Sequence, residues 1–230
     1  MAEIHIFSTM AVQRAIKLIE PSFTAFSGCT LRTEFASTAD LRDRIQGGES
    51  ADVAILTEEW IAGLMHSGKL AQGMDGGTAL VRSYIGMAVK AGAPHPDIST
   101  KDAFINTLLN AKSLSYSRNG ASGLYLKDLL VQLGVAEQVN ARAIILNKGF
   151  TAELAATGQV DLALQQISEL MSVSGIELVG RLPDGVQLTT IFAAGIFATS
   201  PQRNYADQFI QFCRSPSARQ IFEHCGLEPV

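Results

Sequence analysis

Residues 116–130 read YSRNGASGLYLKDLL: one arginine, one asparagine, two glycines and two serines stand just before a run with helical spacing. The first backbone N–H groups of a helix have no partner inside the helix, and the helix dipole makes them attractive to negative charge. Gly120 and Gly123 leave those groups unobstructed, Ser122 adds a hydroxyl, and Arg118 adds a planar fork of donors that matches the two oxygens of a carboxylate. Arg118, Asn119, Gly120, Ala121 and Ser122 are therefore candidate ligands for a small anion. The competing reading is a glycine turn with Ser122 as the N-cap of the following helix.

Other residues could share that chemistry. Ser8 and Thr9 lie between a strand and a helix, and so do Ser37 and Thr38; each is both a capping residue and a hydroxyl donor. Lys148 sits in the loop after the next strand, and Arg82 opens a long strand in mid-chain. Glu58 and Glu59 begin a helix, where acids favour the dipole; Glu58 is also a weak candidate for a proton-transfer group, as is Lys148. His5, His66, His95 and His224 show no HxxxH spacing, and Cys29, Cys213 and Cys225 are far apart without a CxxC, so neither a metal site nor a disulfide framework is expected. No P-loop, GxGxxG or Ser-centred nucleophile elbow occurs, and no cofactor is expected.

The elements that must position these groups alternate. IHIF is a strand and AVQRAIKLIE a helix with Val12, Ala15, Ile16 and Ile19 on one face, ending or bending at Pro21. LRTEFA is a strand, STADLRDRI a helix capped by Thr38, ADVAIL a buried strand, and TEEWIAGLMHSG a helix capped by Thr57. A second series spans roughly Arg82 to Thr190, from the strand LVRSYIGMAVKAG through SLSYS, the helix SGLYLKDLLVQLG, ARAIILNKGF and VDLALQQ. TTIFAAGIFA is a last long strand, and the tail from Pro201 is helical with Tyr205, Phe209 and Phe212 on one face. The glycine pairs at Gly47 and Gly76 read as turns. Strand–helix alternation calls for parallel sheets covered by helices on both faces.

Composition agrees with a packed protein: 230 residues, 47% hydrophobic and 17% charged, with a net charge of -4. No cluster of Lys and Arg supplies a nucleic-acid footprint, and no apolar run is long enough to span a membrane. MAEIHIFSTM has no basic start and no apolar h-region, so the chain as written reads as cytoplasmic, or as periplasmic if a signal peptide has been removed.

Taken in order, IFSTM, FASTADLRDRIQGGESADVAIL, LVRSYIGMAVKAGAP, SGLYLKDLLVQLG, LALQQISEL and FCRSPSARQIFEHCG resemble the molybdate-binding branch of the class II periplasmic binding proteins over nearly the whole chain. The resemblance implies two α/β lobes, each a mainly parallel sheet with helices on both faces, joined by two hinge strands near Ser83–Val89 and Ile191–Phe197. Lobe one would take residues 1–81 and 198–230, and lobe two 82–197. It also implies closure of the lobes over a small anion, and an ABC transporter permease as partner if the protein is exported. In that family the oxyanion is held by a small residue in the first loop, a Ser in the second, backbone N–H groups in the third and a Tyr near the fourth. Here those positions carry Ala11, Thr38 beside Ser37, the Gly120–Ser122 turn, and Gln166 beside Gln165. With Arg118 and Lys148 nearby, a carboxylate suits this set better than molybdate. Aconitate isomerases resemble the same branch, so two functions stand: a solute-binding protein for a small anion, or an isomerase that moves a double bond in a small tricarboxylate by a proton shift. For the second, Arg118, Lys148 and Arg82 would clamp carboxylates, and Lys148 or Glu58 would carry the proton.

Overall fold

The computed structural model describes residues 2–71 and 77–230, so Gly76 lies outside the described residues. The chain opens with β1 (Ala2–Thr9), a 3-10 turn (Met10–Val12), α1 (Gln13–Ser27), β2 (Cys29–Ala36), α2 (Thr38–Gln46), β3 (Val53–Thr57) and α3 (Glu58–His66). β1 pairs in parallel with β2 on one side and β3 on the other, with Ile4 opposite Leu31 and Ile6 opposite Val53. Ile4 and Ile6 are fully buried, which is what their alternation with Glu3 and His5 predicts. His5 turns outward to Glu34 (2.7 Å), which also pairs with Arg44 (2.8 Å). The Arg44 guanidinium, helped by His5, holds the Glu34 carboxyl down at about 2.

Pro21 does not end α1. The helix runs on to Ser27 and stops at Gly28, whose left-handed φ of 69° lets its N–H bond the Thr24 carbonyl. Proline costs the helix one hydrogen bond. The turn beyond it is held by Phe23, fully buried and edge-on to Phe209 and Phe212.

β4 (Thr78–Lys90) carries the chain from one unit to the other: by contact density the chain divides into Met1–Ser83 with Thr190–Val230, and Tyr84–Thr189. The second unit contains α4 (Lys101–Asn110), β5 (Leu114–Ser117), α5 (Ala121–Gln132), α6 (Ala136–Asn140), β6 (Ala143–Leu146), α7 (Thr151–Ala156), β7 (Leu162–Gln166), α8 (Ile167–Leu170) and β8 (Ile176–Arg181). β5 pairs in parallel with β6 and β7, and the far half of β4 runs antiparallel to β7 and β8. Leu126, Leu129 and Leu130 of α5 pack with Phe104, Leu108, Leu114 and Leu164 in this unit's core. The short α6, α8 and β8 have no signal in the sequence reading, because four to six residues are too few to show a period.

β9 (Thr189–Ile196) then runs antiparallel to β3, with Val53 opposite Ile196 and Thr57 opposite Phe192. That pairing places β9 with the first unit, whereas the sequence reading carried lobe two to residue 197. The tail folds as α9 (Arg203–Cys213), α10 (Pro216–His224) and the two-residue β10 (Glu228–Pro229), which pairs with β4 opposite Arg82. α9 buries Ala206, Phe209, Ile210 and Cys213, so Phe209 faces the core while Tyr205 and Phe212 flank it. Buried Asp52 ties the unit together, accepting from the His5 N–H (2.8 Å) and the Ser200 hydroxyl (2.6 Å). The three cysteines are free and buried.

Candidate functional site

Parallel strands end on one edge of their sheet, and that edge is where the loops of an α/β unit can hold a ligand. In the first unit β1 and β2 end level, Thr9 opposite Ala36. Ser8 is fully buried and donates to the Thr9 carbonyl (3.3 Å), and Thr9 Oγ1 accepts from the Ala11 N–H (3.5 Å). At α2 the cap is Ser37, whose Oγ accepts the Asp40 N–H (3.2 Å); Thr38, expected to cap, is the first helical residue instead. Ser37 has the extended backbone that a cap requires, and Thr38 turns inward, 3% exposed, with its hydroxyl unpartnered among the described residues. Glu58 and Glu59 are exposed at the start of α3. Arg82 is held beside Glu228 (3.6 Å), opposite it in the β4–β10 pair.

In the second unit β5, β6 and β7 end at Ser117, Leu146 and Gln166, and α5, α7 and α8 begin there. The N-cap of α5 is Gly120, not Ser122, and it supplies no side-chain hydrogen bond. The first bond of the helix runs from the Leu124 N–H to the Gly120 carbonyl (3.0 Å), so the N–H groups of Ala121, Ser122 and Gly123 emerge from its end. The two glycines have a spatial reason. A Cβ on Gly123 would lie 1.7 Å from the Ser117 carbonyl oxygen, and one on Gly120 would lie 2.8 Å from Ser117 Oγ. The helix start is thus pressed onto the strand end. Ser117 and Ser122 are 7% and 1% exposed there, and neither hydroxyl has a partner among the described residues. Unsatisfied buried hydroxyls are costly, and three or more orphan donors beside them make an anion a natural complement.

Two cations flank this helix end in sequence and by bonding. Arg118 gives its backbone N–H to Leu146 (2.7 Å) and its Nε to Asn147 Oδ1 (3.0 Å), which joins the β5 loop to the β6 loop. Lys148 follows in that same loop, exposed, before Gly149. Gln165 then locks the loop from below: its Oε1 accepts from the Thr151 N–H (2.8 Å) and hydroxyl (3.0 Å), and its Nε2 donates to the Gly149 carbonyl (3.4 Å). Gln166 is 1% exposed and caps α8. Arg118, Asn119, Gly120, Ala121, Ser122, Lys148 and Gln166 thus share one sheet edge. Ser8, Thr9, Ser37 and Thr38 share the corresponding edge of the first unit, with Glu58 at the next helix start.

The sequence reading did not single out Ser117, Asn147 or Glu169. Glu169 is 6% exposed, and its Oε2 accepts the Gln166 N–H (3.3 Å). Burial pushes its carboxyl up to about 8, against the opposing pull of the Gln166 N–H and the Gln165 amide. Its spacing was a usable signal: an acid three residues after a cap completes a reciprocal capping pair. A cavity of about 710 Å³ in the same unit opens elsewhere, around the last residues of β4 and the start of β7, with Lys90, Asn110 and Asp161 on its wall.

A family model described as bacterial extracellular solute-binding protein matches residues 4–228. The chain belongs to this family. Among its relatives are an aconitate isomerase of Pseudomonas sp, 32% identical over 98% of this chain and 87% of that protein, and the molybdate-binding protein ModA of Mycobacterium bovis, 24% identical over 96% and 83%. The periplasmic molybdate-binding protein of Azotobacter vinelandii has a similar fold, with a TM-score of 0.79 over 97% of this chain and 98% of that one at 16% identity. These matches support the molybdate-binding-protein-like branch and its two-lobed α/β class. No helix among the described residues is long and apolar enough to cross a membrane.

Two outcomes follow from the geometry. Gly123→Ala should destabilise the protein by more than about 3 kcal/mol, since neither backbone can yield. Gly63→Ala, in open space on α3, should instead stabilise it by about 0.5–1 kcal/mol. Urea denaturation reads both, and a mild Gly123→Ala would mean that the helix start is not held against Ser117. Glu169 sets a pH dependence. Its carboxyl is protonated in folded and unfolded chains alike below its ordinary value of 4.5; from there to about 8 the unfolded chain loses a proton that the fold retains. Stability conferred by the raised value is therefore complete at low pH and drains away by up to about 1.4 kcal/mol per pH unit across that window. Glu169→Gln should gain on the wild type between about pH 5 and pH 8; equal differences at both ends would show that the carboxyl ionises normally.

Proposed function

We propose that the chain binds a small polycarboxylate, of the tricarboxylate kind, with one carboxylate seated at the N-terminus of α5. The observation that carries this reading is the pair of buried, unpartnered hydroxyls, Ser117 and Ser122, beneath the open N–H groups of that helix, with Arg118 adjoining. Neutral donors alone would suit molybdate. A guanidinium bonded to Asn147 and the exposed Lys148 ammonium on the neighbouring loop favour ligands with several separated negative charges, because each cation can take its own carboxylate. Ser8, Thr9, Ser37 and Thr38 would supply further hydroxyls from lobe one, Gln166 an amide from lobe two, and Asn119 its side chain beside Arg118. Closure of the lobes over the ligand, and delivery to an ABC transporter permease, belong to the same reading. Arg82 has a more limited part in it, since Glu228 already lies against its guanidinium.

A second reading goes beyond binding: the chain isomerises that tricarboxylate. It is favoured by the relative named an aconitate isomerase, which is closer in sequence at 32% identity than the molybdate-binding relative at 24%. The reaction takes a proton from the methylene carbon next to the double bond, moves the double bond one position, and returns a proton at the carbon at the far end of the allylic system. No atom or electron is gained or lost. Cations on the carboxylates would stabilise the charge that develops between the two proton transfers. Lys148 is the candidate at this edge for the group that carries the proton; Glu58 stands on lobe one.

A thermal-shift series with molybdate, tungstate, sulfate, citrate, cis-aconitate and trans-aconitate separates the ligand classes. Tricarboxylates should raise Tm and molybdate should not; the reverse would overturn the carboxylate reading. Arg118→Ala should then weaken tricarboxylate binding by about 1.5–3 kcal/mol in calorimetry, the worth of a hydrogen bond to a charged group, and unchanged affinity would remove Arg118 from the site. Incubation with trans-aconitate in heavy water tests turnover: deuterium should enter the ligand as the cis isomer forms, and its absence at high protein concentration would leave binding alone.

A further inference from the structure

The cavity of about 710 Å³ in the second unit lies at the opposite end of β7 from the α5 edge: Leu162 opens the strand on the cavity wall, and Gln166 closes it at that edge. The volume falls within the roughly 300–1,000 Å³ that small-molecule sites occupy. No step of the proposed function uses it.

The walls are firmly built. Ala103, Asn106, Thr107 and Asn110 line one side, at the spacing that sets them on a single face of α4. The loop after β4 adds Ala93, Pro94 and Pro96. That loop is pinned at three points. The Thr107 hydroxyl donates to the Asp97 carbonyl (2.7 Å), the Gly92 N–H donates to Glu177 Oε1 (3.0 Å), and His95 Nε2 bonds Glu177 Oε2 (3.0 Å). Val89 and Leu162, both buried, add apolar surface from the sheet.

Two opposite charges stand side by side on this wall. The β4–β7 register pairs Ala88 with Ala163, and carried two residues further it sets Lys90 opposite Asp161. Lys90 Nζ lies over the turn before β7, 3.6 Å from where a Cβ on Gly158 would be. Among the described residues the ammonium has no hydrogen-bond or ion-pair partner. Asp161 is anchored through one oxygen: Oδ2 accepts the Lys112 N–H (3.0 Å), and its own N–H donates to Ser113 Oγ (3.1 Å). Oδ1 has no partner among the described residues. Asp97, the other acid on the wall, already has its Oδ1 on the Ser99 N–H (2.9 Å). A simple cation or anion at this place would meet a repelling charge next to its partner. An α-amino acid carries an ammonium and a carboxylate on one carbon, and so matches both neighbours at once.

We propose that this cavity is a second ligand site, for an α-amino acid with a large apolar side chain: its carboxylate on Lys90, its ammonium on Asp161 Oδ1, and its side chain against Ala93, Pro94, Pro96 and Ala103. The site is independent of the reading of the α5 edge as an anion seat. Lys90 and Asp161 are exposed, so water shares their charges and binding is weak, with a Kd of about 1 mM.

Amide NMR of the isotope-labelled protein during titration with L-phenylalanine tests this. Amides within residues 89–97, 103–110 and 158–162 should shift and saturate, and those of residues 117–123 should not. N-acetyl-L-phenylalanine lacks the ammonium and L-phenylalanine amide lacks the carboxylate; each should bind about tenfold more weakly. Lys90→Gln and Asp161→Asn should each cost about tenfold in L-phenylalanine affinity, the second while keeping the acceptor for Lys112. Ala103→Trp should abolish the shifts by filling the cavity. No saturable shift at the cavity, equal binding of all three ligands, or unchanged affinity in both charge variants would overturn the proposal. Shifts centred on residues 117–123 would put the amino acid at the α5 edge instead and overturn it equally.

Discussion

A helix cannot start directly on the end of its preceding strand if its first turn carries a Cβ on the inner side. Gly123 removes that atom, and Gly120 removes the other one that would strike Ser117. The contact is steric before it is electrostatic. Gly120 has an ordinary extended backbone, so its place is decided by space and not by φ. With α5 this close, the Ser122 and Ser117 hydroxyls are buried without partners among the described residues, the orphan N–H groups open outward, and Arg118 bonds the β6 loop. An ordinary turn would have allowed Ser122 to cap the helix and satisfy itself.

The polar groups around that contact divide by charge. Cations stand outside, on Arg118 and Lys148, where water can share the cost of holding them. Beneath them, apart from one acid, lie amides and hydroxyls, with Gln165, Thr151 and Ser115 bonded to one another and to the backbone. The single acid in this layer, Glu169, stays neutral because nothing positive accompanies it into the interior. A buried group in that state gives up stability above its unfolded pKa, which is a reason to look for a role in the site and not only in the fold.

Lobe one shows the contrasting arrangement. Its perturbed acid, Glu34, lies on the sheet surface between Arg44 and His5 and is held ionised by them. Asp52 is buried but saturated by a backbone N–H and a hydroxyl. Both are spent on joining strands to helices and to the C-terminal segment. Glu34 is held well below the usual carboxylate range, and Arg44 and His5 give that a structural explanation.

The sequence by itself determined the strand–helix alternation, the buried faces of α1, α2 and α5, and the family, since periodic apolar residues and capping signals are local. Ile16 and Ile19, Leu41 and Ile45, and Leu126, Leu129 and Leu130 are buried as their spacing requires. It also marked the Arg118–Ser122 stretch and Lys148, because glycines and cations are visible as types. It did not show that Ser37 rather than Thr38 caps α2, that α1 passes through Pro21, or that β9 joins the first unit. The last two depend on partners distant in the chain: Phe209 and Phe212 for the end of α1, β3 for β9. Tertiary structure alone decided why the glycines are there and that Glu169 is neutral. A Cβ clash with Ser117 and the loss of water around a carboxyl are properties of three-dimensional neighbours, and a linear pattern carries neither.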